Sequence, residues 1–174
     1  MSPSGARTPP EHWRYARHLE ALAATPGAHA EAEADTVAAV LRDPDRVMAE
    51  SAVVTHLDRR AAGLLTDDGF TAWAGAISGV LAGRAFPERR LREWSLLKAV
   101  TRGEPWSAAE LAGASDWCQR TAVRLLASCE ALELLAAGAR TGRVRYAAAE
   151  RLRRRAVDPR IRVTPGTGGL GLPR

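Results

Sequence analysis

At 174 residues and 46% hydrophobic composition, the chain holds enough apolar material for one domain or two small ones. No apolar run approaches the ~20 residues that cross a bilayer, and the opening residues, with Pro3, Pro9, Pro10 and Glu11, lack the charged and apolar halves of a signal peptide, so a soluble cytoplasmic protein is expected. The net charge of +5 is unevenly placed: residues 1–83 carry seven Arg against eleven Asp and Glu, whereas residues 84–162 carry sixteen Arg and Lys98 against nine acids.

Residues 1–10, rich in Ser, Pro and Gly, read as a disordered tail. A helix is expected from Glu11 to Ala24, where Trp13, Ala16, Leu19 and Ala23 recur at three and four residues and Pro26-Gly27 makes a stop. The next covers about Glu31 to Arg42. Asp43-Pro44 then opens a long helix, with proline near its first position, through Val47, Val54, Leu57, Ala61 and Leu64. Thr66-Asp67-Asp68-Gly69 interrupts it, and Asp67-Asp68 reads as a helix start rather than a metal site. Phe70, Trp73, Ile77, Val80 and Leu81 form the clearest amphipathic stripe in the chain and predict a buried face. After the break at Ala85-Phe86-Pro87, a helix from about Glu88 to Thr101 should bury Leu91, Trp94, Leu97 and Val100.

From Ser107 to Leu135 the pattern changes. Ser107-x-x-Glu110 is a capping-box pattern that starts a short helix at Ala108, ended by Gly113. Ser115-Asp116 caps a second helix, with Trp117, Thr121, Leu125 and Cys129 expected inward and Cys118, Gln119, Arg120 and Arg124 outward. Two short helices around a Gly-containing turn are the local grammar of a helix-turn-helix. Beyond them, the Thr141-Gly142 turn between short runs, with Val144 and Tyr146 alternating against Arg143 and Arg145, predicts a β-hairpin over Ala136 to Tyr146. Arg151-Leu152-Arg153-Arg154-Arg155 follows as a basic cluster on an expected terminal helix, and residues 158–174 read as a flexible tail.

Glu110-Leu111-Ala112, Trp117, Arg120-Thr121-Ala122, Arg124-Leu125-Leu126, Cys129 and Leu134-Leu135 together resemble the winged helix-turn-helix of bacterial transcription factors, the IclR type in particular. The resemblance spans roughly residues 90 to 150. It implies a mainly α fold in which a helical portion at 11–84, for dimerisation or sensing, precedes a winged helix-turn-helix domain at 85–157 with a small β-hairpin wing. It further implies double-stranded DNA as the partner and a homodimer as the binding form.

In that frame Gln119 can pair with adenine and Arg120 with guanine, Arg124 lies beside them, and Arg140, Arg143 and Arg145, on or beside the wing, make DNA-backbone or minor-groove contacts. The basic half of the chain coincides with this segment, as a phosphate-binding module would. Part of the arginine content has another source: one Lys, one Gln and no Asn amid abundant Ala, Arg and Gly mark a high-GC genome.

No cofactor, metal site or catalytic motif is expected. The four His are scattered, and Cys118 and Cys129, eleven residues apart on one predicted helix and separated by about 16 Å of rise, cannot bridge. The reading is therefore a DNA-binding regulator and not an enzyme. The alternative is a helical adaptor whose winged domain docks another protein, which accommodates the acidic Asp116 at the recognition-helix start and Glu133 where the family has glycine.

Overall fold

A computed structural model describes residues 11–25 and 29–157. Both expected tails, 1–10 and 158–174, and the Pro26-Gly27 stop lie outside these residues. Nine helices make up the described chain: α1 (Glu11–Ala24), α2 (Ala30–Val40), α3 (Arg46–Leu64), α4 (Phe70–Val80), α5 (Ala85–Arg102), α6 (Ala108–Gly113), α7 (Asp116–Leu125), α8 (Cys129–Gly138) and α9 (Gly142–Val157). No helix among them is long and apolar enough to cross a membrane.

Local chemistry explains the boundaries. Asp45 caps α3 by accepting from the Met48 amide at 3.0 Å, so Pro44 stands before the cap and not inside the helix. Pro87 sits in the first turn of α5, where its missing N–H costs nothing, and the Ala85-Phe86-Pro87 segment starts the helix instead of breaking it. Gly103 ends α5 at φ 68°, the left-handed conformation that favours glycine. On α4, Phe70, Trp73 and Ile77 are buried as the stripe predicted, followed by Leu81. On α1 the buried face is turned from the expected one: Leu22 is buried and Tyr15 and Leu19 pack against the core, while Trp13 is 63% exposed.

The expected β-hairpin wing is corrected: no strand occurs among the described residues, and α8 and α9 occupy that segment. Thr141 does not turn a hairpin. Its carbonyl accepts from the Arg145 amide at 3.1 Å and its hydroxyl from the Val144 amide at 3.4 Å, which starts α9. From there Val144, Ala148 and the partly buried Leu152 recur every four residues, while Tyr146 is 69% exposed. A short alternation in two isolated strands is marginal in water, and a sixteen-residue helix with a buried stripe prevails. The fold is mainly α without a wing.

A second correction concerns the recognition helix, which ends at Leu125. Leu126 is extended at ψ 141°, and Ser128 caps a new helix by accepting from the Ala131 amide at 3.2 Å. Cys118 and Cys129 consequently lie on different helices, the first buried and the second exposed.

The packing alternates along the chain. α1 packs on α3, α3 on α5, α5 on α7 and α7 on α9; α2 pairs with α4, α6 with α8, and α8 lies against α9. One buried cluster runs from Leu22 to Ala148, on both sides of the segment at 84–88 where a boundary was expected. Polar side chains join the helices as well. The buried carboxylate of Glu33 on α2 accepts from His56 Nε2 at 2.7 Å, Trp73 Nε1 at 2.8 Å and Arg60 Nε at 3.1 Å. Asp43, in the turn before α3, accepts from Arg14 at 2.9 Å and lies 2.9 Å from His18 Nε2, tying α1 to that turn.

Candidate binding surface

The segment from α5 to α9 holds every residue that the sequence singled out, so the site is built there. Ser107 Oγ accepts from the Glu110 amide and Ser115 Oγ from the Cys118 amide, each at 3.2 Å, and these caps set α6 and α7 on either side of Ala114-Ser115. Helix α5 fixes where α7 begins. The buried Glu93 carboxylate accepts from the Ser115 amide at 2.9 Å, and the Arg90 guanidinium lies 3.5 Å from the centre of the Trp117 ring while bonding to Asp58 on α3 at 2.6 Å. Trp117 also meets Trp94 edge-on at 5.4 Å, so it plugs the space against α5.

Gln119 is not outward-facing. It is fully buried, its Nε2 donating to the carbonyls of Leu111 at 3.1 Å and Ala112 at 2.9 Å and its Oε1 accepting from the Arg140 amide at 2.9 Å. The proposed adenine reader is a clamp that ties the end of α6 to the turn between α8 and α9. The physical cause is a rotation of the α7 buried face: α5 covers one side and α9 another, so Cys118, Gln119, Ala122 and Val123 are enclosed, while Leu125 is 37% exposed. Cys129, expected inward, is exposed at the start of α8.

The remaining predicted residues divide by what they touch. Arg120 is exposed and pairs with Asp116 one turn earlier at 3.3 Å. Arg145 donates to the Ala139 carbonyl at 2.7 Å, bracing the turn before α9. Arg124, Arg140 and Arg143 are exposed, and their guanidinium groups have no partner among the described residues. From the basic cluster, Arg151 donates to the Val123 carbonyl and Arg155 to the Ala127 carbonyl, satisfying backbone groups at and just past the end of α7. Arg153 and Arg154 pair with Glu150, whose carboxyl is held below its usual range by the Arg154 hydrogen bond and the charge of Arg153.

Between α5, α6 and the α8–α9 turn lies a groove of about 690 Å³. Arg89, Arg92 and Arg140 line it together with Leu96, Pro105 and Trp106; Glu93, Glu110 and Ser115 contribute polar edge. The sequence pattern points to Arg140 as a DNA-backbone or minor-groove contact and does not single out Arg89, Arg92 or Trp106. Their signal was present: Arg89, Arg92, Leu96 and Ala99 fall on one stripe of α5, opposite the buried Leu91, Trp94 and Leu97, and only the packing of α6 alongside turns that stripe into a wall.

Other reactive groups are quiet. Burial, helped by the Glu93 carboxylate and opposed by Arg90, pushes the Cys118 thiol up to about 12, so it stays protonated at neutral pH. Burial alone raises the Glu33 carboxyl, but the hydrogen bonds from His56 and Trp73 and the charges of His56 and Arg60 outweigh it and hold it below its ordinary value. Among the described residues no group of three or more His, Cys, Asp or Glu side chains is placed to hold a metal ion. No family model matches the sequence, and neither a curated protein nor a solved structure matches the chain.

Proposed function

We propose that the chain is a helical adaptor, a binding module that docks a partner protein and does not read DNA sequence. The observation that carries this is the state of Gln119, whose carboxamide is fully occupied inside the fold. Supporting it, α7 is enclosed by α5, α6, α8 and α9 and offers solvent little more than the strip Asp116, Arg120, Arg124 and Leu125. A helix that reads the major groove must present several side chains to base edges. Here one of the two proposed readers is buried and the other is paired with an acid.

The packing of α6 beside α5 favours the same reading, because it leaves a concave groove suited to a ligand segment. The test has two arms. Selection of bound molecules from random-sequence duplexes should enrich no motif. Cross-linking in extracts of the source, with sites mapped by mass spectrometry, should give reproducible links from one face of the described helices to one protein. An enriched motif whose binding is lost on Arg120→Ala and Arg124→Ala would restore the DNA-reading regulator and overturn the adaptor.

A further inference from the structure

We propose that the groove between α5, α6 and the α8–α9 turn receives an acidic peptide segment of the partner, its carboxylates meeting Arg89, Arg92 and Arg140 and an apolar side chain lying against Trp106. The inference rests on the adaptor reading and names the surface and the chemistry it recognises.

The argument begins with how arginine is used in this half of the molecule. Arg84, Arg90, Arg102, Arg120, Arg145, Arg151, Arg153, Arg154 and Arg155 each bond to a carboxylate or a backbone carbonyl. Among the described residues from 84 to 157, only Arg89, Arg92, Arg124, Arg140 and Arg143 have guanidinium groups without such a partner, and three of these five line one cavity. All three are exposed to the same groove, so an anion entering it meets donors that the fold has not used. Their planar N–H forks match carboxylate oxygens in bidentate fashion.

The groove is also preorganised. Its rim includes Gly113, Ala114, Ser115 and Arg140, and the Gln119 clamp and the Glu93–Ser115 hydrogen bond hold the backbone at both sides of that rim. A site whose walls are already fixed loses less entropy on binding. Its volume lies within the usual ~300–1,000 Å³ range of ligand sites, room for a few side chains.

Two features select a peptide over a nucleic-acid strand. The lining includes Leu96, Ala99, Pro105, Trp106 and Ala114, an apolar surface with no counterpart on a phosphate backbone. Glu110 stands exposed in the same lining, where its carboxylate accepts from a peptide N–H, a donor that a phosphate backbone does not offer. Segments that mix carboxylates with apolar side chains satisfy both walls.

The test is fluorescence anisotropy of the full chain with a short fluorescein-labelled peptide alternating glutamate and leucine, beside a lysine–leucine peptide and a short DNA duplex. Saturable binding of the acidic peptide is expected. Arg92→Ala and Arg140→Ala should each weaken it roughly tenfold, the loss of one charge-assisted pair. Arg124→Ala and Arg143→Ala, which change net charge equally but lie outside the groove, should leave it within about twofold. Equal weakening by groove and control substitutions, tighter binding of the duplex than of the acidic peptide, or no acidic-peptide binding would each overturn the proposal. Cross-links to a protein elsewhere on the surface would then still sustain the adaptor, so the two readings fail separately.

Discussion

Replacing Gln119 by leucine separates the two roles this residue has been given. Leucine is close to isosteric with the glutamine and keeps the site filled, so packing changes little, but three hydrogen bonds are lost. The Leu111 carbonyl retains the Ala114 amide at 3.4 Å; the Ala112 carbonyl and the Arg140 amide lose the side-chain partner they have here. Leaving two such groups unsatisfied costs ~2 to 4 kcal/mol. For a chain of this length that corresponds to a fall in Tm of about 4 to 16 °C, read by circular dichroism at the helical minimum. Gln119→Glu should be worse, because a carboxylate cannot donate to the two carbonyls and would bury an unpaired charge. Binding at the groove should weaken as well, since Arg140 is no longer fixed. An exposed base-reading glutamine predicts the opposite pattern, a stability change within about 0.5 kcal/mol. A Tm shift below about 2 °C for Gln119→Leu would refute the clamp.

Glu33→Gln should cost about 3 kcal/mol at neutral pH by leaving His56 and Arg60 without their shared carboxylate. Because the folded-state carboxyl lies below its ordinary value of 4.5, the stability Glu33 supplies is present above that pH and disappears as pH falls through its folded pKa. Urea midpoints of wild type and variant should therefore converge under acid conditions, and parallel curves would count against the network. Arg90→Met removes the Asp58 bond and the stack on Trp117 and should lower stability by roughly 2 to 4 kcal/mol. Hydrogen exchange should then localise the added opening to α7 and to the joint between α3 and α5; a uniform change would argue against Arg90 as their link. Arg151→Ala with Arg155→Ala should lower stability by about 1 kcal/mol each by uncapping the carbonyls at the end of α7. Their non-specific DNA affinity should change no more than that of Arg153→Ala; a larger loss would assign them to phosphate.

The sequence carried the elements whose cause is local. Ser107 and Ser115 cap helices through their own side chains, and the Phe70 to Leu81 stripe has the period of a helix buried on one side. What it could not carry was which face of α7 is enclosed. That depends on α9 arriving from the far side, and the start of α9 resembles a hairpin because Val144 and Tyr146 alternate over a few residues. The four-residue recurrence of Val144, Ala148 and Leu152 is the longer signal, and it is the one the fold follows. Gln119 failed for a related reason. A carboxamide is outward-facing in a pattern of polar and apolar letters, yet the carbonyls at the end of a short helix need a donor, and a buried glutamine supplies one. The groove was legible only in part. Arg89 and Arg92 stand on a solvent stripe of α5, but the approach of Arg140 is a matter of tertiary packing.

The excess of positive charge in the second half is what first suggested phosphate, and its weight changes once each arginine has an address. In a chain with a single Lys and a single Gln, arginine performs work that other chains give to several residue types. Arg84 donates to the Leu41 carbonyl at 2.8 Å, and Arg102 to the Thr66 carbonyl at 2.8 Å and to Asp68. Arg145, Arg151 and Arg155 brace helix ends. Such guanidinium groups keep their formal charge, yet their donors are committed to the fold, and using them to hold phosphate would uncap the helices they support. Overall charge measures long-range attraction; specific recognition depends on donors that are free and convergent. By that criterion the strongest recognition chemistry in this half lies at Arg89, Arg92 and Arg140, beside an apolar wall, rather than along α7. That distribution supports the proposed docking module, with a small cationic groove for an anionic segment, over a reader of base sequence.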